Sequence, residues 1–191
     1  NMINKLPKIE LHCHLDGSVR VDTIIDIAKK ENIKLESYEK CDVEKLVQVP
    51  NDCTSLNEYL KRFDLANKVM QSRENIKRVT FELLEDAQKE NVKYIEVRFA
   101  PLLHLNGGLS IEEVIQSAID GINEAEKMYD IKGNIILCCM RTMSEDDAIL
   151  VVEEGKKFLN KGVVAIDLAG PEEEGFVKKY KKAIELARSY G

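Results

Sequence analysis

Two of the chain's three histidines stand one residue apart in Glu10-Leu11-His12-Cys13-His14-Leu15-Asp16-Gly17-Ser18, with an acid two residues further on. Side chains alternate between the two faces of a strand. An extended segment here puts Glu10, His12, His14 and Asp16 on one side and Ile9, Leu11, Cys13 and Leu15 on the other. The apolar side can pack beneath helices; the polar side faces a cavity, solvent or a metal. Backbones at i and i+2 are roughly 6.5–7 Å apart, and two imidazoles leaning inward can reach one ion at about 2.0–2.1 Å. Taken alone, a His-x-His reads equally well as a polar pair at a sheet rim. The following Asp-Gly-Ser favours the ligand reading, because sites in α/β proteins lie beyond the carboxyl ends of strands.

Two ligands do not complete a catalytic zinc site, which takes about three protein ligands and an open position. The remaining histidine, His104, follows a second strand in Pro101-Leu102-Leu103-His104 and reads as a surface-loop residue in preference to a third ligand. Cys13 belongs to the apolar side, and adjacent Cys138 and Cys139 place one thiol on each face of their strand. The chain by itself is short of ligands.

The elements that position these residues follow from periodicity. Short apolar or β-branched runs near Ile9 to Leu15, Tyr94 to Ala100, Asn134 to Met140 and Val163 to Leu168 read as strands. Amphipathic stretches at Val21 to Glu31, Arg73 to Glu90, Ser144 to Asn160 and Phe176 to Ser189 read as helices. Ser55-Leu56-Asn57-Glu58 and Ser110-Ile111-Glu112-Glu113 have the capping-box form and announce two more. Strands alternating with helices imply βα units and a parallel sheet. The interval from Ser18 to Asn91 holds extra helices and a loop around Lys40 to Thr54, an elaborated first crossover.

The 191 residues, 44% hydrophobic and 32% charged, suit one ordinary globular domain spanning 1–191. Asn1, ahead of Met2, reads as a remnant of an expression tag. A net charge of −6 with interleaved Lys and Arg offers no basic stripe for nucleic acid. The longest apolar runs fall far short of the ~20 residues that span a bilayer. Five cysteines without regular spacing suit a reduced, cytoplasmic setting.

Pro7-Lys8-Ile9-Glu10-Leu11-His12-Cys13-His14-Leu15-Asp16-Gly17-Ser18 resembles the opening motif of the adenosine deaminase family, zinc enzymes built on a TIM barrel. The likeness continues in Tyr94-Ile95-Glu96-Val97-Arg98-Phe99-Ala100-Pro101, in Leu137-Cys138-Cys139-Met140-Arg141 and in Val164-Ala165-Ile166-Asp167-Leu168-Ala169-Gly170-Pro171-Glu172. The resemblance implies that His12 and His14 hold Zn2+, with His14 also lining the substrate pocket. It implies that Asp16 hydrogen-bonds a ribose hydroxyl and that the Gly170 N–H meets a purine ring nitrogen. On their own, Gly170 beside Pro171 reads as a strand-to-helix turn, and Asp16 as a turn cap before Gly17. Leu56, Tyr59 and Phe63 resemble the family's apolar lid, although an i, i+3, i+7 stripe more often belongs to a core. Glu96 and Arg98 are expected to make inward polar contacts that support the site. Adenine deaminases of the same family tend to carry His-Leu-Glu-Gly at the first motif, and Asp16 favours the nucleoside. The His-x-Glu and Pro-Cys-x-x-Cys elements of cytidine-type deaminases do not occur here.

A TIM barrel takes eight βα units, and this chain reads as the first four with extra helices after strand 1, an α/β half-barrel. The family's third zinc histidine, its proton-shuttling glutamate and its paired aspartates have no counterpart here, so the acid/base glutamate is expected beyond Gly191. The expected activity is zinc-dependent deamination of adenosine, and of 2′-deoxyadenosine, to inosine and ammonia by the complete protein, with the chain alone inactive. The alternatives are a half-barrel that binds metal or purine nucleoside without turnover, or an adenine deaminase relative. An open sheet with two unpaired edge strands is expected to be covered by a C-terminal half or by self-association.

Overall fold

The computed structural model describes residues 2–172 and 174–191. In chain order the elements are α1 (Met2–Lys5), β1 (Lys8–His14), α2 (Val21–Lys30), α3 (Lys40–Val47), α4 (Leu56–Lys61), α5 (Asp64–Val69), α6 (Arg73–Lys89), β2 (Val92–Phe99), a 3-10 turn (Pro101–His104), α7 (Ile111–Met128), β3 (Lys132–Met140), α8 (Glu145–Lys156), β4 (Val163–Ala169), α9 (Phe176–Lys179) and α10 (Lys181–Tyr190). The four strands form one open sheet in the order β1-β2-β3-β4, parallel throughout. This is the parallel α/β sheet that the alternation of strands and helices implied, and its four βα units are the number that the resemblance to a barrel family called for.

The core lies on the outer face of the sheet. Ile95, Val97, Phe99, Ile135 and Leu137 are fully buried, together with Ile76, Val79 and Leu84 of α6 and Val114, Ile115 and Ala118 of α7. Each such Val, Leu, Ile or Phe side chain contributes about 1.5–3 kcal/mol by leaving water. The helices pack closely: a Cβ on Gly121 of α7 would stand 2.5 Å from the Lys77 carbonyl oxygen of α6. Both helices start on serine caps, Ser72 for α6 and the reciprocal Ser110–Glu113 box for α7. At α4 only the Ser55 half of the expected box forms. Ser144 and Asp147 make a second full box at α8 that the sequence reading passed over.

The first crossover is more helical than expected. Lys40–Val47, assigned to a loop, forms α3 because Val43 is fully buried there and the segment packs on α2. The helix expected over Phe176 to Ser189 breaks at Tyr180, whose ring is fully buried and whose hydroxyl donates toward the carbonyls of Met140, Arg141 and Met143. An anchored aromatic has replaced helical continuity.

The apolar side of β1 departs from expectation. Leu15 is fully buried, yet Ile9 is 69% exposed and Leu11 53%. β1 is an edge strand, and the helices of this chain cover the outer face from β2 onward. The strict alternation also fails locally. Between Glu10↔Ile95 and Cys13↔Val97 the first strand advances three residues for two on its partner, a bulge at Leu11-His12.

Candidate active site

The bulge sets the geometry of the histidines. An extra residue leaves ladder groups unpaired, and side chains take them up: the His12 N–H donates to Glu10 Oε1 at 2.8 Å, and the Leu11 carbonyl accepts from Arg98 Nη2 at 3.1 Å. The two imidazoles converge, with centroids 5.2 Å apart and Nε2 to Nε2 at 3.3 Å. Two nitrogens bound to one zinc at 2.0–2.1 Å with tetrahedral angles stand about 3.3–3.4 Å from each other. The pair therefore fits a shared ion. Burial, then the neighbouring charges of His12 and Arg98, push His14 below its ordinary value, while Asp167 pulls it back. A neutral ring is the form a metal takes. Among the described residues no group of three His, Cys, Asp or Glu side chains is placed to hold a metal.

Asp16 follows the strand into the loop. Burial pushes its carboxyl up to about 6, partly offset by the amides of Asp16 and Gly17 and by the Asn67 side chain. It lines a pocket of about 340 Å3 with Val47, Val49, Tyr59, Arg62 and Phe63. The Phe63 ring stands edge-on to His14 at 6.2 Å and 5.4 Å from Tyr59. Gly17 makes room for that ring, since a Cβ there would lie 2.9 Å from Phe63 Cε1. Tyr59 and Phe63 thus border the site as the lid resemblance implied. Leu56 does not line it and is 53% exposed.

Gly170 lies just past β4, at the same carboxyl end of the sheet, with φ of +101°. The nearest atom to a Cβ there is 3.6 Å away, so backbone conformation rather than space calls for glycine. Arg141 holds the turn from beside it. Its backbone N–H donates to the Ala169 carbonyl at 2.8 Å and Nη1 to the Gly170 carbonyl at 2.5 Å, while the guanidinium stacks over Phe176 at 4.5 Å. Nothing in the alternation of hydrophobic and polar residues pointed to this role, because Arg141 sits in a turn.

Arg98 turns inward as expected and pairs with Asp167 at 2.7 Å, reaching across β3 from β2 to β4. Cys138 lies between them on the inner face and Cys139 on the outer, its thiol toward the Ala148 carbonyl of α8. Burial raises both thiols, Cys139 to about 12 and Cys138 further still, so both are protonated and inert at neutral pH.

His104 corrects the sequence reading outright. It is fully buried, its Nδ1 lies 3.0 Å from the Met70 carbonyl, and its ring rests against Phe99 at 5.7 Å. The 3-10 turn folds Pro101–His104 back against α5 and α7 instead of out into solvent. His104 is neither a surface residue nor part of a metal cluster.

The family model described as adenosine deaminase matches residues 7–191. The chain belongs to the adenosine deaminase family. It is 62% identical to the adenosine deaminase of Clostridium botulinum strain 657 over 187 residues, which cover 98% of this chain and 56% of that protein. It is 61% identical to that of Clostridium perfringens strain 13 over 191 residues, 100% of this chain and 57% of the relative. The chain spans about half the length of the curated relatives it matches. Among solved structures it is similar to Arabidopsis ADAL complexed with IMP, at TM-score 0.83 and 29% identity, covering 98% of this chain and 56% of that one. The fold is also that of a Burkholderia ambifaria amidohydrolase with bound Zn, at TM-score 0.87 and 24% identity, covering 98% and 50%. The deaminase half-barrel is therefore four strands of an eight-strand design. No helix among the described residues is long and apolar enough to cross a membrane.

Proposed function

We propose that this chain forms the nucleoside-binding half of a zinc-dependent adenosine deaminase, which converts adenosine and 2′-deoxyadenosine to inosine and ammonia. The observation that carries the reading is the 3.3 Å separation of the His12 and His14 Nε2 atoms at the carboxyl end of β1. His12 and His14 would hold the metal. A zinc ion held there supplies the Lewis acidity that activates water at neutral pH.

This chain's own residues bind and orient. Asp16 accepts a ribose hydroxyl, and its desolvated carboxylate strengthens that bond. The Gly170 N–H, fixed by Arg141 on the following carbonyl, meets a purine ring nitrogen. Tyr59 and Phe63 exclude water over the sugar and base. The pocket lining favours a nucleoside over a nucleotide: its cation, Arg62, is engaged by the Lys45 carbonyl at 2.7 Å and Glu58 at 3.8 Å, and Asp16 repels a phosphate.

Among the described residues no third His, Cys, Asp or Glu joins His12 and His14 in a metal-holding group, and the expected result for the 191-residue chain alone is no turnover. A C-terminal half covers the open sheet in the active protein. The test is loss of the adenosine absorbance and release of ammonia, measured with zinc for the isolated chain and for the protein as its source cell makes it. Turnover by the source protein alone supports the reading. No turnover by either, together with nucleoside binding, would make the half-barrel a binding module instead.

A further inference from the structure

We propose that Arg98 is a positioning residue that sets the spacing of the two imidazoles. The inference rests on reading His12 and His14 as a metal pair. Arg98 holds the residues that flank the pair: its side chain donates to the Leu11 carbonyl at 3.1 Å, and its own carbonyl accepts the Leu15 N–H at 3.0 Å. His14 lies opposite it in the register. Without the first contact, the Leu11 carbonyl at the bulge loses its side-chain partner, and the bulge loses what opposes its relaxation into regular pairing.

A guanidinium next to two ligand nitrogens would repel a cation. Asp167, 2.7 Å from Nη1, cancels that charge and fixes the far side of the fork to β4. The arginine side chain is 11% exposed, so the pair is held in place rather than fluctuating in solvent. Only a planar fork reaches an acceptor on each side at once; a lysine offers one point charge to one of them. Partners that orient metal-binding side chains are typically worth 10–100-fold in metal affinity.

The experiment is titration of the 191-residue chain with Cu2+, a metal that imidazole pairs take readily, read by the nitrogen splitting of the electron paramagnetic resonance spectrum and by affinity. His12→Ala reports copper held elsewhere. Arg20→Lys is the stability control, since Arg20 is also a forked arginine, but its carboxylate partners are on α6: Asp86 at 2.7 and 2.8 Å and Glu85 at 2.9 Å. The expected result is a two-nitrogen site in the wild type, weakened about tenfold or more in Arg98→Lys and unchanged in Arg20→Lys, with similar melting temperatures for the two variants. Unchanged affinity in Arg98→Lys, an equal loss in Arg20→Lys, or a wild type lacking a two-nitrogen site overturns the proposal. None of these readouts involves a nucleoside, so failure of the deaminase assignment leaves them standing, and their failure leaves that assignment to its own assay.

Discussion

His104 Nδ1 lies 3.0 Å from the carbonyl oxygen of Met70, and because a carbonyl only accepts, that nitrogen carries the proton. The other ring nitrogen, Nε2, is then bare, buried and without a partner. The fold has no place for a second proton, and burial pushes this histidine down to about 4.

Stability should therefore depend on pH through His104. Between its ordinary 6.5 and about 4 the unfolded chain takes a proton that the folded chain refuses, so this contribution is full above pH 6.5 and is lost as pH falls toward 4. That interval corresponds to about 3 kcal/mol. Urea unfolding at pH 6.5 and 4.5 should show His104→Gln gaining stability on acidification relative to the wild type.

Asp16 works in the opposite direction. Its folded-state value of about 6 lies above the ordinary 3.8, so the folded chain holds a proton that the unfolded chain releases. Its contribution is full below pH 3.8 and is lost as pH rises through 6, again about 3 kcal/mol. The two groups oppose each other across the same window, and the wild-type profile should be nearly flat. Asp16→Asn should expose the His104 slope, with stability rising from pH 4.5 to 6.5. A flat profile in that variant would show that His104 does not titrate as the structure requires.

What the sequence revealed and hid follows from the range of the interactions. The four strands and the α6 and α7 caps depend on local periodicity and on serine at a helix start, which a sequence displays. Two strands still begin two residues earlier than read, at Val92, an apolar core residue separated from the run by Lys93, and at Lys132, where hydrogen bonding outlasts hydrophobicity. The His12–His14 pair was visible as spacing, but its convergence depends on a bulge and on Arg98, 84 residues away from His14 in the chain by the numbering. The burial of His104 and the break at Tyr180 each depend on a carbonyl supplied by another element. Ile9 and Leu11 show the reverse case: their apolar pattern describes a covering layer that the described residues do not supply.

Gly121 offers a test of packing against propensity. Alanine is about 1 kcal/mol better than glycine inside a helix, so propensity alone makes Gly121→Ala stabilising. A Cβ there would meet the Lys77 carbonyl oxygen at 2.5 Å and Thr80 Cβ at 2.8 Å, neither of which can swing aside. Gly121→Ala should lower stability by about 1–3 kcal/mol, read as a fall in the urea midpoint with an unchanged slope. A raised midpoint would mean that α6 and α7 do not approach as closely as described.

Gly170→Ala separates conformation from space in the same way. The site has room, but φ of +101° is strained for any residue with a Cβ, at about 1–3 kcal/mol. The turn should shift toward negative φ and turn its N–H away. In the deaminase proposed above, KM for adenosine should rise, and the melting temperature should fall by no more than the strain of about 1–3 kcal/mol accounts for.

The last expectation concerns the uncovered edge. β1 ends one side of the sheet, with its ladder groups unpaired outward and Ile9 and Leu11 exposed beside Leu6 at 56% and Ile3 at 62%. Such an edge templates association, and natural edges are guarded by charge. The isolated half-barrel should sediment as a concentration-dependent mixture. Ile9→Lys should shift it toward monomer without changing the His12–His14 pair, which begins three residues further along β1. If both were monomers the edge would not template association; if both associated alike, the contacts between copies would have to lie elsewhere, as at the other edge, where Val164 is 40% exposed on β4. Val164→Lys would then be the variant that dissociates them.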